Sequence, residues 1–413
     1  MGELIETTCS IVGGGPAGMM LGFLLARMGV PVCVLEKHAD FLRDFRGDTI
    51  HSSTLELMYE LGLLEQFLKR PHQQVTELSG QVGNEMVTMA DFRHLPTHCK
   101  FIAFMPQWDF LSFIEEQGRK YPSFRLVMQA EVTDLIEENG AVAGVRAQCP
   151  NGMLEIRARL VVGADGRHSL VRQRAGLTVT NLGAPMDVLW MRISRRPGDP
   201  KQTLGHAEAG RMFVMIDREE YWQCAFVIAK GAFDETRQKG LEAFRQEVSR
   251  LAPFLSDRKE EVRSWDDVSL LTVVVDRLER WSRAGLLCIG DAAHAMSPIG
   301  GVGINLAIQD AVATANILGA GLRRGSVGVS DLERVQSRRT FPTRVTQGMQ
   351  VVIQNLAIGR ILGSDRPLVL PWPLKLLRRF PALRRIPGRI IGMGFRPEHI
   401  RTAEAPGIRG NSG

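Results

Sequence analysis

No two of the six cysteines form a Cys-x-x-Cys pair, and no run of eighteen uncharged apolar residues occurs anywhere in the chain. The first absence argues against a dithiol redox centre or a cysteine-rich zinc hairpin. The second argues against a membrane-spanning helix. The opening residues, Met1-Gly2-Glu3-Leu4-Ile5-Glu6, carry two acids and no base, unlike a secretory leader. Internal repeats and low-complexity blocks are also missing, which argues against a solenoid or a disordered scaffold. Cys9, Cys33, Cys99, Cys149, Cys224 and Cys288 are scattered, several of them in apolar strand-like runs, and read as reduced buried thiols of a cytoplasmic protein.

The 413 residues suffice for two or three domains, and 44% hydrophobic with 23% charged residues is an ordinary globular balance. The net charge of +6 is unevenly spread. Between Arg366 and Arg401 stand nine Lys or Arg and one acid, Glu398, a local +8 that leaves about −2 for everything else. The basic character therefore belongs to the C-terminal segment, and a nucleic-acid partner is not indicated. Nor does the sequence point to a bound metal.

The apolar run Thr7–Val12 reads as a buried strand. Gly13-Gly14-Gly15-Pro16-Ala17-Gly18 follows, then an apolar helix to about Met28 and a second strand from Pro31 to Glu36. In such a βαβ unit Gly13 permits the turn, Gly15 admits a pyrophosphate, and Gly18 lets helix and strand pack closely. The helix N-terminus, with Pro16 and Ala17 in its first turn, offers unpaired N–H groups to phosphate. Glu36, with Lys37 beside it, can accept hydrogen bonds from ribose hydroxyls and would repel a 2′-phosphate.

Further helices are expected over 54–64, 108–119, 241–251 and 304–322, and a hairpin turns at Asn139-Gly140. Alternating segments between about 183 and 275 suggest an antiparallel sheet. Downstream, the strand Leu286–Ile289 leads into Gly290-Asp291, then Pro298, then Ile299-Gly300-Gly301-Val302-Gly303-Ile304-Asn305. A carboxylate at Asp291 suits ribityl hydroxyls, which NAD lacks. Amides at the following helix start suit the ring edge where a flavin gathers negative charge on reduction.

These motifs, with Gly163-Ala164-Asp165-Gly166 followed by Ser169, Val171 and Arg172, resemble the class A flavoprotein monooxygenases, the p-hydroxybenzoate hydroxylase-like group, over roughly 1–345. The resemblance implies an α/β fold. A discontinuous Rossmann-like FAD-binding domain (1–75, 100–180 and 276–345) would carry an inserted antiparallel-sheet substrate domain (76–99 and 181–275). A C-terminal helical and basic tail (346–413) would complete it. It implies FAD as cofactor and NADPH or NADH as a transient electron donor. O2 would then form a flavin C4a-hydroperoxide that passes one oxygen to an aromatic, polyene-like or other electron-rich small molecule.

Carried over by motif, Arg46 and Gln107 would hold the pyrophosphate or ribityl region, or else lie solvated at the surface. Asp165 would buttress the flavin domain, or simply cap a turn. Gly290 and Asp291 would bind the ribityl chain. Pro298 would line the reacting face, and Gly301, Val302, Gly303, Ile304 and Asn305 the ring edge. His51 is a candidate acid–base group, whereas His294 reads as structural. Substrate candidates on the insert are Trp190, Arg192, His206, Met212, Tyr221 and Trp222.

No second glycine-rich fingerprint follows Glu36, which argues against a pyridine-nucleotide disulfide reductase. Trp190-Met191-Arg192 does not match the Trp-x-Trp-x-Ile-Pro of flavin-dependent halogenases. An alkene reductase of the geranylgeranyl-reductase type and a non-catalytic FAD protein that sequesters a ligand are the alternatives. The tail either forms an interfacial segment at an anionic bilayer through 366–401, making the protein peripheral to the membrane, or folds over its own flavin domain. If it were a separable anchor, removing 366–413 would leave FAD bound.

Overall fold

The computed structural model describes residues 3–42, 49–200 and 204–406. Its first layer is an eight-stranded sheet. The order runs Ser282–Arg283, Leu286–Cys288, Gly152–Gly163, Glu3–Val12, Val32–Leu35, Phe124–Val127, with the hairpin strands Glu131–Glu138 and Ala141–Cys149 branching from Gly152–Gly163. Glu3–Val12 lies parallel to both Val32–Leu35 and Gly152–Gly163, which in turn lies parallel to Leu286–Cys288. Buried parallel strands need apolar side chains on both faces, and Val32–Leu35 is buried at every position.

Helix Pro16–Arg27 covers this sheet and buries every residue from Ala17 to Ala26. An apolar helix buried all round belongs in an interior, and helices Gln107–Gly118 and Val302–Arg324 pack against it. The turn at Asn139 (φ 51°) and Gly140 (φ 78°) has both central residues at positive φ, as a tight hairpin of this hand requires.

The second layer is a seven-stranded sheet ordered Ser269–Leu271, Met186–Ser194, Tyr221–Ala229, Arg211–Asp217, Leu204–Glu208, Glu77–Val82, Glu85–Asp91. Strands from two stretches well apart in sequence thus share one sheet. It is antiparallel except where Leu204–Glu208 meets Glu77–Val82 in parallel. Alternation sorts its side chains onto two faces. Leu189, Met191, Ile193, Phe213, Trp222 and Cys224 pack with Phe244 and Val248 of helix Leu241–Leu251. Val188, Trp190, Met212, Val214, Ala225 and Val227 form the other face, packed with Ile299 and Val351.

One long element was not expected: helix Val329–Ile353. After Leu332 and Val335 its buried positions are Arg339, Pro342, Thr343, Thr346, Gln347 and Gln350, so most of the inward stripe is polar and no apolar period runs its length. The boundary expected at 345/346 falls inside this continuous helix. Beyond it the chain forms helices Trp372–Arg379 and Arg385–Met393. The second lies tightly on strand Glu85–Asp91 of the seven-stranded sheet and the turn after it. A Cβ at Gly388 would stand 2.1 Å from the Asp91 carbonyl oxygen, and one at Gly392 would stand 2.6 Å from Leu95. Further on, the Ala405 N–H donates to the carbonyl of Arg27 at 3.0 Å. Among the described residues no helix is long and apolar enough to cross a membrane.

Candidate functional site

The glycine turn is built for close approach. Gly13 has φ +107°, and a Cβ there would lie 2.4 Å from the Ala164 carbonyl oxygen. A Cβ at Gly18 would lie 2.0 Å from the Gly13 oxygen. Both glycines are therefore fixed by the protein's own packing. At Gly15, among the described residues and apart from its own chain neighbours, no atom lies within 4 Å of an added Cβ. Gly15 is also the N-cap of helix Pro16–Arg27 and supplies no side-chain cap, so the first-turn amides, Ala17 among them, stay available. Glu36 closes this cradle: its Oε2 accepts the Gly14 N–H at 3.0 Å and its Oε1 the His38 N–H at 3.1 Å. Lys37 is exposed beside it. Arg46 lies outside the described residues. Gln107 is the first residue of helix Gln107–Gly118 and is half-buried.

The distant segment comes to the same place. Gly290 has φ +59°, and a Cβ on it would stand 3.1 Å from Cβ of Ala17 and 3.2 Å from Cβ of Ala307. The first glycine helix and the helix Val302–Arg324 thus meet across Gly290. Asp291 is part-exposed and sits 3.5 Å from Nη2 of Arg167. Asp165 accepts hydrogen bonds from Ser169 Oγ (2.5 Å) and the Val171 N–H (3.1 Å). Burial pushes its carboxyl above the usual range, with those bonds opposing. Ser169 in turn caps its helix by accepting the Arg172 N–H, so Asp165 sets the orientation of that turn.

Pro298 is exposed at the crest of the following loop, and Gly300 (φ +75°) and Gly301 (φ +61°) carry the chain into helix Val302–Arg324 in left-handed conformations. Gly301 caps that helix without a side-chain bond, as Gly15 does the first. Val302 and Gly303 are half-buried and Ile304 is buried. Two uncapped helix starts, an open glycine and a part-exposed carboxylate suit a dinucleotide with a ribityl chain and an electron-accepting ring.

Asn305 behaves differently from its neighbours. Its Oδ1 accepts the His51 N–H and Thr54 Oγ1 at 2.8 Å each, and its Nδ2 donates to the carbonyls of Thr49 (2.8 Å) and Gly301 (3.3 Å). With its amide committed to protein, it ties the loop to the 49–54 segment. His51 is buried, and its Nδ1 lies 2.7 Å from the Ile391 carbonyl oxygen in the C-terminal helix. Burial pushes its imidazole down to about 4, so at neutral pH it is an uncharged ring held behind the loop.

His294, expected from the sequence to be structural, belongs to a buried network whose other members were not foreseen. His294 Nε2 lies 2.5 Å from Asp310 Oδ2, which also accepts the Gly290 N–H at 3.1 Å. Arg339 Nε donates to Asp310 Oδ1 at 2.8 Å. Burial alone would raise the Asp310 carboxyl, yet His294 and Arg339 hold it below the usual range. Above this network, Gln350 Nε2 donates to the carbonyls of Ser297 (2.9 Å) and Ile299 (3.0 Å), while its Oε1 accepts the Ser297 N–H (3.2 Å). Gln347 Nε2 donates to the carbonyls of Asp276 and Ala295. The helix Val329–Ile353 therefore grips both sides of Pro298. The spacing 339, 343, 347, 350 was a readable helical stripe, but a polar one.

The six substrate candidates separate by sheet face. Trp190 and Met212 lie on the face packed with Ile299. Strand alternation puts Arg192 and Tyr221 on that same face, the guanidinium 4.8 Å from the ring centroid. Trp222 and His206 are turned away, a correction to the sequence reading. Trp222 is fully buried with Nε1 donating to Asp199 Oδ2 at 2.8 Å, and His206 Nδ1 lies 2.8 Å from the Leu251 carbonyl oxygen, at the end of the opposite helix. A one-residue change of strand position exchanges faces, and composition cannot report it.

A family model described as an FAD binding domain matches residues 6–348. The 6-methylpretetramide 4-monooxygenase of Streptomyces rimosus is 32% identical over 391 residues, spanning 93% of this chain and 92% of that protein. The chain belongs to the class A FAD-dependent monooxygenases. FAD is its cofactor, and NAD(P)H is the family's typical electron donor. A rifampicin monooxygenase of Streptomyces venezuelae is 29% identical over 321 residues, covering 73% of this enzyme but 61% of the relative's own length. PqsL of Pseudomonas aeruginosa, a probable FAD-dependent monooxygenase, superposes with a TM-score of 0.73 at 21% identity, over 87% of this chain and 98% of its own, and so supports the fold.

Proposed function

We propose that the enzyme uses NAD(P)H and O2 to insert one oxygen atom into an electron-rich aromatic ring, and that its substrate is a fused polycyclic phenol. The observation that supports this most is that the two helices opened by Gly15 and by Gly301, neither with a side-chain cap, meet across Gly290 through Ala17 and Ala307. In this reading the eight-stranded sheet and its helices hold FAD. Glu36 binds the ribose, the amides beyond Gly15 the pyrophosphate, Asp291 the ribityl chain, and the Gly301–Ile304 amides the ring edge. Asp165 and Asn305 orient those segments from behind. FAD when bound supplies the electron transfer and oxygen activation. The protein's share is to bind, orient and exclude water.

The seven-stranded sheet supplies the substrate wall. Trp190, Met212 and Val214 offer a broad apolar surface toward Ile299, with Arg192 and Tyr221 at its margin for a phenolate. Pro298 stands beside that wall, next to Ile299, where it would face the bound flavin. The polycyclic assignment rests on the S. rimosus relative named for 6-methylpretetramide, which matches nearly the whole chain. His51, neutral and engaged with Ile391, positions the Gly300–Gly301 loop rather than exchanging protons with substrate.

The test is a panel of monocyclic phenols, quinone precursors and polycyclic aromatic polyketides. Polycyclic phenols should accelerate NAD(P)H oxidation and yield products heavier by one oxygen. A product gaining two hydrogens instead would mark an alkene reductase. No stimulation by any compound would leave ligand sequestration as the better reading.

A further inference from the structure

The C-terminal segment turns one side to edge strand Glu85–Asp91 of the seven-stranded sheet and leaves the other side in water. On the helix Trp372–Arg379, Leu374 and Leu377 are half-buried, while Trp372 is 76% and Leu376 40% exposed. Trp372 and Leu376 are one helical turn apart and share the outward face, flanked by Lys375 and Arg379. Phe380 (51%), Ile386 (59%) and Val369 (73%) extend the exposed apolar surface along the same segment. Large apolar side chains so exposed cost solvation unless something covers them.

The charges on the segment itself are of one sign. No acid stands between Arg366 and Arg396. The nearest carboxylates on the neighbouring strand are committed: Glu85 to Arg378, and Asp91 to Arg93 and His94. Lys375, Arg379, Arg385 and Arg389 have no acidic partner among the described residues. Arg385 and Arg389, one turn apart, instead line a cleft of about 170 Å³ with His94, Asp91, Leu95 and Pro96. Two unpaired guanidiniums in one small concavity are suited to a phosphate.

We propose that this face docks on an anionic phospholipid bilayer, with Trp372, Leu376, Phe380 and Ile386 entering the headgroup boundary and Arg385 with Arg389 taking a lipid phosphate. An acidic protein would answer the charge. A bilayer also answers the arrangement, in which apolar side chains and an exposed indole lie beside cations whose long stems can reach back to an anionic layer. The proposal is independent of which substrate the active site takes.

The experiment is co-sedimentation of full-length, FAD-loaded protein with vesicles of phosphatidylcholine alone and with phosphatidylglycerol added. The protein should pellet with the anionic vesicles at low salt, and lose most of that binding in high salt or with phosphatidylcholine alone. The pair W372S/L376S should lower partitioning about tenfold, and the pair R385Q/R389Q by a similar factor of about ten. The flavin absorbance spectrum of each variant checks that it is folded. Quenching of tryptophan emission by lipids brominated near the headgroup reads the same contact without any substitution. The proposal is overturned if the unmutated protein stays in the supernatant with anionic vesicles, or if both variant pairs bind as it does. It is equally overturned if inorganic phosphate binds at Arg385 and Arg389 while vesicles do not, which would make the cleft a free-phosphate site.

Discussion

A buried imidazole beside a backbone carbonyl must donate from one nitrogen, and in His51 that leaves the other facing the protein with no hydrogen-bond partner among the described residues. Protonation would bury a charge, which is why burial depresses this group to about 4. An unfolded chain takes up the proton near its ordinary value, about 6.5. Between those two pH values the unfolded state binds more protons, so stability from this residue is complete above about 6.5 and declines as pH falls toward 4, by about 3 kcal/mol in all. Denaturant titrations at pH 7 and pH 5 should show that decline, and His51→Asn should flatten it. A second prediction concerns the carboxylates. Glu36→Ala and Asp291→Ala should each weaken FAD binding by roughly tenfold to a hundredfold, the worth of charge-assisted hydrogen bonds. Recovery of free-flavin fluorescence on dilution measures it, and unchanged retention in both would displace these residues from the cofactor.

At the scale of elements, the helix Val329–Ile353 decides how firmly Pro298 is held. Gln350 alone makes three hydrogen bonds to Ser297 and Ile299. Gln350→Ala should therefore loosen the loop, with FAD retained, NAD(P)H oxidation continuing, and a larger share of the electrons released as hydrogen peroxide in place of product. A product-to-NAD(P)H ratio equal to that of the unmutated enzyme would refute the grip. This element also shows where the sequence was legible. Helix Leu241–Leu251 and the Asn139-Gly140 hairpin were readable because apolar spacing and turn chemistry are local. The glycine turn and the Gly290–Asp291 strand end were readable as tight turns because the positive φ and close approach at Gly13 and Gly290 restrict residue type. The glutamine stripe was hidden because its partners are backbone carbonyls, which any sequence supplies. The inward or outward sense of Trp222 and His206 was hidden because it depends on strand pairing with distant residues.

For the molecule as a whole, the tail is a structural member. Glu398 bonds to Arg338 and Arg339, Ile391 to His51, and Ala405 to Arg27. Removing 366–413 would leave Arg339 buried without one of its two carboxylates and strip the cover from Glu85–Asp91. Losing a partner from a buried ion pair is strongly destabilising. The truncated chain should melt lower by roughly 5 °C or more, or aggregate, and lose flavin with it, contrary to the expectation of a separable anchor. Calorimetry of the truncated protein checks this; an unchanged transition would make the tail an appendage after all. The covering of that edge strand has a consequence during synthesis. Glu77–Val82 and Glu85–Asp91 leave the ribosome as a lone hairpin, gain their sheet neighbour only when Leu204–Glu208 has been made, and are capped on the outer edge only by the last helices. An open strand edge recruits other chains. The nascent protein must stay shielded until translation is nearly over, and slow decoding late in the message would lengthen that exposure.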